Sequence, residues 1–260
     1  MSIKIENVEV MGWEHAIRGM RNPMNSWEKG DSGTCESFLV NCDPEGDGCD
    51  KCPYEWDDPN CNALDYKKDF IIGHNDHKLM MSLAKGGPVH AKYRRMITVY
   101  ADITAPLYWW KEFDTYRIGV EKNSCSTMHK IHEKEFELSD FSTEHLMESS
   151  DYALKYSSDE LYIYDFCNVL SGAIDALNFA RRHYLASKDK GWWWQMIQLL
   201  PTSYNQKRTV MLNYEVLVGM YKSRKNHKLD EWREFCKWIE SLPYSEIITG
   251  ELSDKEAIND

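Results

Sequence analysis

The apolar residues of the C-terminal half recur at helical spacing, and this constrains the fold more than any other feature of the chain. Phe166, Val169, Leu170, Ala173, Ile174, Leu177 and Tyr184 fall on one face, the i, i+3, i+4, i+7 pattern of an amphipathic helix. Trp192 to Leu200 is too apolar for a surface loop. Pro201 stops it, because proline lacks the N–H and its ring clashes with the preceding turn. A second long helix is predicted to begin near Thr209. A third is predicted near Leu229, with Leu229, Trp232, Phe235, Cys236 and Ile239 as its buried stripe.

The N-terminal half supplies strands. IKIENVEV reads as one, followed by a helix carrying Trp13, Ala16, Ile17 and Met20 that ends near Asn22, since Pro23 disfavours helical geometry in the residue before it. From Asp69, a short apolar segment leads into a helix around Asp76–Leu83 and a Gly-Gly stop. MITVYADI has strand propensity, although its apolar residues suit a buried helix equally. Residues 119–129 read as a polar loop, Ser139 as the N-cap of a turn and Glu144–Ser149 as a weak helix. Strands mixed with helices over 260 residues predict an α/β (α+β) fold in one domain, 1–260, with a loop-rich Cys/Gly/Pro insertion at 28–63.

Several classes are excluded. The net charge of -11 disfavours a protein that tracks a nucleic-acid polymer, whose phosphates need a surplus of Lys and Arg. A single nucleotide is still allowed, because two or three local donors hold one small anion whatever the total charge. No apolar run approaches the roughly 18–20 residues of a membrane span. The start, MSIKIENVEV, lacks the features of a secretory signal, so a cytoplasmic location is expected, with the eight cysteines reduced or bound to metal.

Five groups of residues could carry chemistry. Cys49 and Cys52 form a C-x-x-C, and with two further ligands from Cys35, Cys42, Cys61 or a nearby His, Cys42 and Cys61 being the first choice, they could complete a tetrahedral structural Zn²⁺ site; reduced thiols in a loop are the alternative. Asn123-Ser124-Cys125-Ser126-Thr127-Met128-His129 concentrates hydrogen-bonding side chains suited to a phosphate or a pyrimidine edge, with Tyr116 and Arg117 upstream; a capped turn explains the same composition. Asn213 and Arg224, eleven residues apart in a stretch that reads as one helix, share a face with Leu217 and Met220 and either close a core or line a pocket. His90 is a structural or surface residue unless a partner makes it a cofactor contact. The aromatic runs Tyr108-Trp109-Trp110 and Trp192-Trp193-Trp194 suit a core and a subunit interface, or a stacking platform.

These segments resemble, in order, the flavin-dependent thymidylate synthases, and in GMRNPMNSW, YWWKEFDTY and NSCSTMH a divergent phage and prophage branch. LLPTSYNQKRTVMLNYEVLVGMYKSRKNHKLDEW matches that family's Leu-Pro, Asn and Arg pattern, and GGPVHAKYRRMITV its His-containing segment. The resemblance implies a mixed sheet packed against long helices. It also implies a homotetramer, and a methyl transfer to C5 of a pyrimidine deoxynucleotide using FAD, NADPH and methylenetetrahydrofolate. Substrate contacts would be Arg117, Asn123, Ser124, Ser126 and Arg224, and cofactor contacts His90, Arg94, Asn213, Glu215 and His227. The family's Arg-His-Arg triplet is replaced by residues around Asp114–Arg117, and Glu215 stands where the family has Arg. A related pyrimidine-nucleotide modifying enzyme, or a non-catalytic nucleotide-binding or assembly protein, is the alternative reading.

Overall fold

The computed structural model describes residues 3–34, 70–148 and 165–250. In chain order the elements are β1 (Lys4–Met11), α1 (Trp13–Arg21), β2 (Gly33–Thr34), β3 (Phe70–Ile71), α2 (His74–Lys85), β4 (Thr98–Pro106), α3 (Leu107–Phe113) and β5 (Glu121–Ser124). Then follow α4 (Phe166–Ser187), α5 (Lys190–Leu199), β6 (Asn205–Asn213), α6 (Tyr214–Arg224), α7 (Asp230–Glu240) and α8 (Glu246–Thr249). Four strands form a sheet in the order β1-β4-β6-β5, and β2 pairs antiparallel with β3. The fold is therefore mixed α+β, as the sequence predicts. Contacts divide the chain into two units, one of Met1–Val8, Tyr100–Met211 and His227–Phe235, the other of Glu9–Val99, Leu212–Asn226 and Cys236–Asp260.

The first unit is built on aromatics. Trp109, Trp110 and Phe113 of α3 are fully buried, and the Trp109 ring lies 4.8 Å from Trp232, which is also fully buried. Large rings supply most of the apolar area here, so truncating either tryptophan should cost roughly 3–5 kcal/mol. A second cluster joins Ile131, Phe136 and Phe141 to Leu170, Ile174, Leu177 and Ala180 of α4 and Met196 of α5. Its one buried amide, Asn178, is satisfied: it accepts from Phe136 N at 2.9 Å and donates to Phe136 O at 2.8 Å.

In the second unit Trp13, Ala16, Ile17 and Met20 are the buried stripe of α1, as their spacing predicts. Trp13 packs edge-on against Tyr214 and Tyr244, at 5.3 and 5.4 Å. Gly12 precedes α1 at φ +94, where a Cβ would meet Met96 O at 2.2 Å, so only glycine fits. Arg21 and Asp76 form a buried pair at 2.6 Å. Asp76 also accepts from Asp31 N, Ser32 N and Ser32 Oγ, while Arg21 donates to Ser26 O and Lys29 O. This network ties α1, α2 and the loop before β2 into one body.

Several expectations are corrected. The helix predicted from Thr209 is strand β6, whose Gln206, Val210 and Leu212 are buried at alternating positions; the helix begins only at Tyr214. Alternation with period two wins because β6 is flanked by β4 and β5 and buries one face. The polar loop at 119–129 contains β5, paired antiparallel with β6. MITVYADI resolves as strand β4. Glu144 and His145 form a turn and residues 146–148 no helix, and the N-cap of the turn at Leu138–Asp140 is Glu137, reciprocated by Asp140, rather than Ser139. On α4, Phe166 and Val169 are 44% and 57% exposed, outside the buried stripe. Trp232, Phe235, Cys236 and Ile239 of α7 are buried as predicted, while Leu229 is half-buried ahead of the helix.

Candidate functional site

In the first unit the hydrogen-bonding segment lies on the outer strand of the four-stranded sheet. Asn123 and Ser124 of β5 pair with Thr209 and Arg208 of β6, and both are exposed. The chain is pinned where it leaves β5: Cys125 N donates to Lys207 O at 2.9 Å and Gln206 Nε2 donates to Cys125 O at 2.7 Å. Ser126 Oγ then accepts from Met128 N at 3.2 Å and His129 N at 2.9 Å, so this serine caps a turn. The hydroxyl proton stays available to a ligand. Arg117, three residues ahead of Val120, is exposed with no ion pair among the described residues.

Arg208 is a residue that sequence reasoning missed. Its guanidinium lies 4.3 Å from the Trp110 ring centroid and donates to Gln206 Oε1 and Asp114 Oδ1, each at 2.9 Å. Lys122 reaches the same Asp114 at 2.8 Å. Two cations on one carboxylate leave a local positive excess behind Asn123 and Ser124. The signal was hidden because Arg208 faces Ser124 only once 205–213 is known to be a strand.

His227, also in this unit, is committed internally. Its Nδ1 accepts from Leu229 N at 3.2 Å, which places the proton of the neutral ring on Nε2, 3.4 Å from Glu112. Glu112 in turn accepts from Trp232 Nε1 at 3.1 Å.

In the second unit the residues around the start of α6 come together. Asn213 ends β6 in extended conformation and is the N-cap of α6, accepting from Val216 N at 3.0 Å. It is not an interior helix residue, so the eleven-residue phase argument does not apply to it. Its amide NH₂ has no partner among the described residues. Glu215, in the first turn, faces Arg94 at 3.7 Å, and the buried Arg94 also donates to Ile247 O. Arg94 Nε and Glu215 Oε2 are buried without a hydrogen-bond partner. His90 is exposed, its ring against Gly86. Arg224 is half-buried in the last turn of α6, on the side of the fully buried Leu217 and Met220, whereas Lys222 is exposed.

Cys42, Cys49, Cys52 and Cys61 lie outside the described residues, as does most of the 28–63 segment. Among the described residues no group of three His, Cys, Asp or Glu could hold a metal. Of the described cysteines, Cys125 is exposed, and burial pushes the Cys236 thiol up to about 11. No described helix is long and apolar enough to cross a membrane.

The architecture is that of the flavin-dependent thymidylate synthases. A flavin-dependent thymidylate synthase ThyX from Helicobacter pylori, complexed with FAD and dUMP, superposes with a TM-score of 0.55 at 16% identity, over 97% of this chain and 100% of that one. A UMP/dUMP methylase, PolB from Streptomyces cacaoi bound with 5-Br dUMP, superposes with a TM-score of 0.52 at 15% identity, over 96% and 95% of the two chains. No protein-family model matches the sequence, and no curated protein matches it.

Proposed function

We propose that the chain binds a deoxyuridylate-like pyrimidine nucleotide and methylates it at C5, taking the one-carbon unit from methylenetetrahydrofolate. The reading is carried by the end-to-end likeness of fold to two proteins named for thymidylate synthesis and UMP/dUMP methylation. The uncommitted groups support it. The Ser126 hydroxyl, the Asn123 amide, the Ser124 hydroxyl and Arg117 are donors for a phosphate or a pyrimidine edge. Arg224, half-buried on an apolar helix face, is proposed to meet an anionic or carbonyl oxygen of the nucleotide.

Flavin fits some of the residues assigned to it and not others. The His90 imidazole and the Asn213 amide retain unspent polar groups and would hold it. Arg94, Glu215 and His227 are engaged with one another or with neighbouring protein groups and are not included. When bound, FAD would supply the hydride, with NADPH as its reductant. This chain's residues would orient the nucleotide and neutralise its charge, and Cys125 is given no covalent role.

We further propose a homotetramer, in which other copies cover Phe179, Leu185, Trp194 and Leu199, which are 39–52% exposed on α4 and α5. The structural Zn²⁺ at the four cysteines is likewise a proposal, tested by metal analysis of protein purified without chelator.

The decisive experiment incubates the protein with FAD, NADPH, methylenetetrahydrofolate and dUMP, UMP or dCMP. Mass spectrometry should find a methylated dUMP product, and the protein should take up FAD with a visible spectrum. Nucleotide binding without flavin uptake or product would favour the non-catalytic reading, which the closed Arg94–Glu215 pair motivates. Absence of nucleotide binding would sink both.

A further inference from the structure

The turn after β5, the end of α4 and the start of α5 enclose a cleft of about 340 Å³ lined by Met128, His129, His132, Tyr184, Lys188, Lys190 and Trp193. Its shape follows from the α4–α5 corner. Lys188 caps the end of α4 in the left-handed conformation at φ 58, and Asp189 N-caps α5, so a lysine stands on either side of Asp189 at the corner. The Asp189 carboxylate is spent on that cap, accepting from Gly191 N at 2.8 Å. Trp193 is fixed by its indole N–H, which donates to Met128 O at 3.0 Å.

The chemistry of the lining is unusual for this chain. Acidic residues outnumber basic ones, 42 to 31, yet the cleft is lined by two ammonium groups and two imidazoles and by no carboxylate. Lys188 and Lys190 have no ion-pair partner among the described residues. Instead they lie over aromatic faces, Lys188 at 5.5 Å from the Tyr184 centroid and Lys190 at 6.0 and 5.7 Å from Trp193 and Trp194. The His132 ring sits edge-on to Tyr184 at 4.9 Å, and its Nδ1 is buried without a hydrogen-bond partner. Two ammonium groups without an ion-pair partner among the described residues, lining one aromatic-walled cleft, give it a positive local field that favours an anion.

We propose that this cleft binds the phosphate group of a phosphorylated ligand, held by Lys188 and Lys190, with His132 able to add a hydrogen bond and the Trp193 and Tyr184 faces packing against any attached ring. Neither lysine belongs to the residues assigned above to nucleotide or flavin, so the inference stands apart from that reading. Two sources supply the same group, a mononucleotide or free inorganic phosphate.

The test titrates the full chain with inorganic phosphate, dUMP and deoxyuridine by calorimetry. The parent is compared with Lys188→Gln/Lys190→Gln, which keeps the side-chain stems, and with Lys85→Gln/Lys111→Gln, which makes the same charge change at exposed positions. Inorganic phosphate should bind the parent and lose at least about tenfold in affinity in the Lys188/Lys190 variant alone. If dUMP is the ligand, it should lose as much while deoxyuridine is unaffected. If phosphate binds in this way and dUMP does not bind at all, the cleft stands and the nucleotide reading falls. If dUMP and phosphate bind the Lys188/Lys190 variant as tightly as the parent, or if the control variant loses equally, the cleft is not a phosphate site.

Discussion

Replacing Arg94 with Met removes a guanidinium that is almost fully buried and leaves the Glu215 carboxylate without its cation. The pair separation is 3.7 Å, beyond hydrogen-bonding distance, with side-chain exposures of 7% and 18%. At an effective dielectric near 20 two unit charges at that separation attract by roughly 4 kcal/mol before desolvation. Desolvation and the missing hydrogen bond consume much of this, so a double-mutant cycle with Glu215→Gln should return a coupling of about 1–2 kcal/mol. Arg94→Met alone should cost about 3 kcal/mol, since it also removes the donor to Ile247 O. Urea unfolding of the two single variants and the double variant reads these values, and a parallel FAD titration reads the cofactor. An Arg94→Met protein with the parental urea midpoint and no flavin binding would refute the reasoning, because the guanidinium would then be serving a ligand.

Other predictions follow from the same geometry. Asp76→Ala should destabilise by about 3–5 kcal/mol in denaturant titration, because it leaves Arg21 buried without an anion. Burial pushes the Asp76 carboxyl up, but its bonds to Ser32, Arg21 and Asp31 outweigh this and hold it below 3.8. Its contribution is therefore complete above about pH 4 and lost as pH falls through the depressed value, and acid-unfolding profiles of Asp76→Asn should lack that loss. Gly12→Ala should cost at least about 2 kcal/mol, visible as a lowered melting temperature, because φ is positive and the new Cβ meets a backbone oxygen. Arg224→Lys should keep the fold and weaken dUMP binding by about 1.5–3 kcal/mol in calorimetry, while Lys222→Ala binds as the parent does.

The candidate site was only partly legible from sequence. The polar segment around Ser126 stood out by composition. Its backbone role did not, because the turn that Ser126 caps and the strand that precedes it depend on pairing with residues more than eighty positions away. Arg94 and Glu215 read as separate candidate contacts. Their engagement with each other is set by how α6 and the turn at Lys92–Arg95 pack. The Lys188–Lys190 cleft carries no sequence motif, and its two lysines line one space only because they sit on either side of Asp189 where α4 ends and α5 begins.

By itself the sequence determined the helices whose stripes repeat at 3.6 residues, α1, α4 and α7, the helix α2 ahead of its Gly-Gly stop, and the apolar character of 192–200 up to Pro201. Those signals are local: a stripe, a cap and a breaker lie within a few turns of one another. Only the tertiary structure decided that 205–213 is a strand, that Asn213 caps a helix it had been expected to occupy, and that Arg208 lies over Trp110. TVMLN offers apolar residues to either period, and the choice falls to the backbone partners that β4 and β5 provide. A strand's hydrogen bonds are made with distant chain, whereas a helix makes its own.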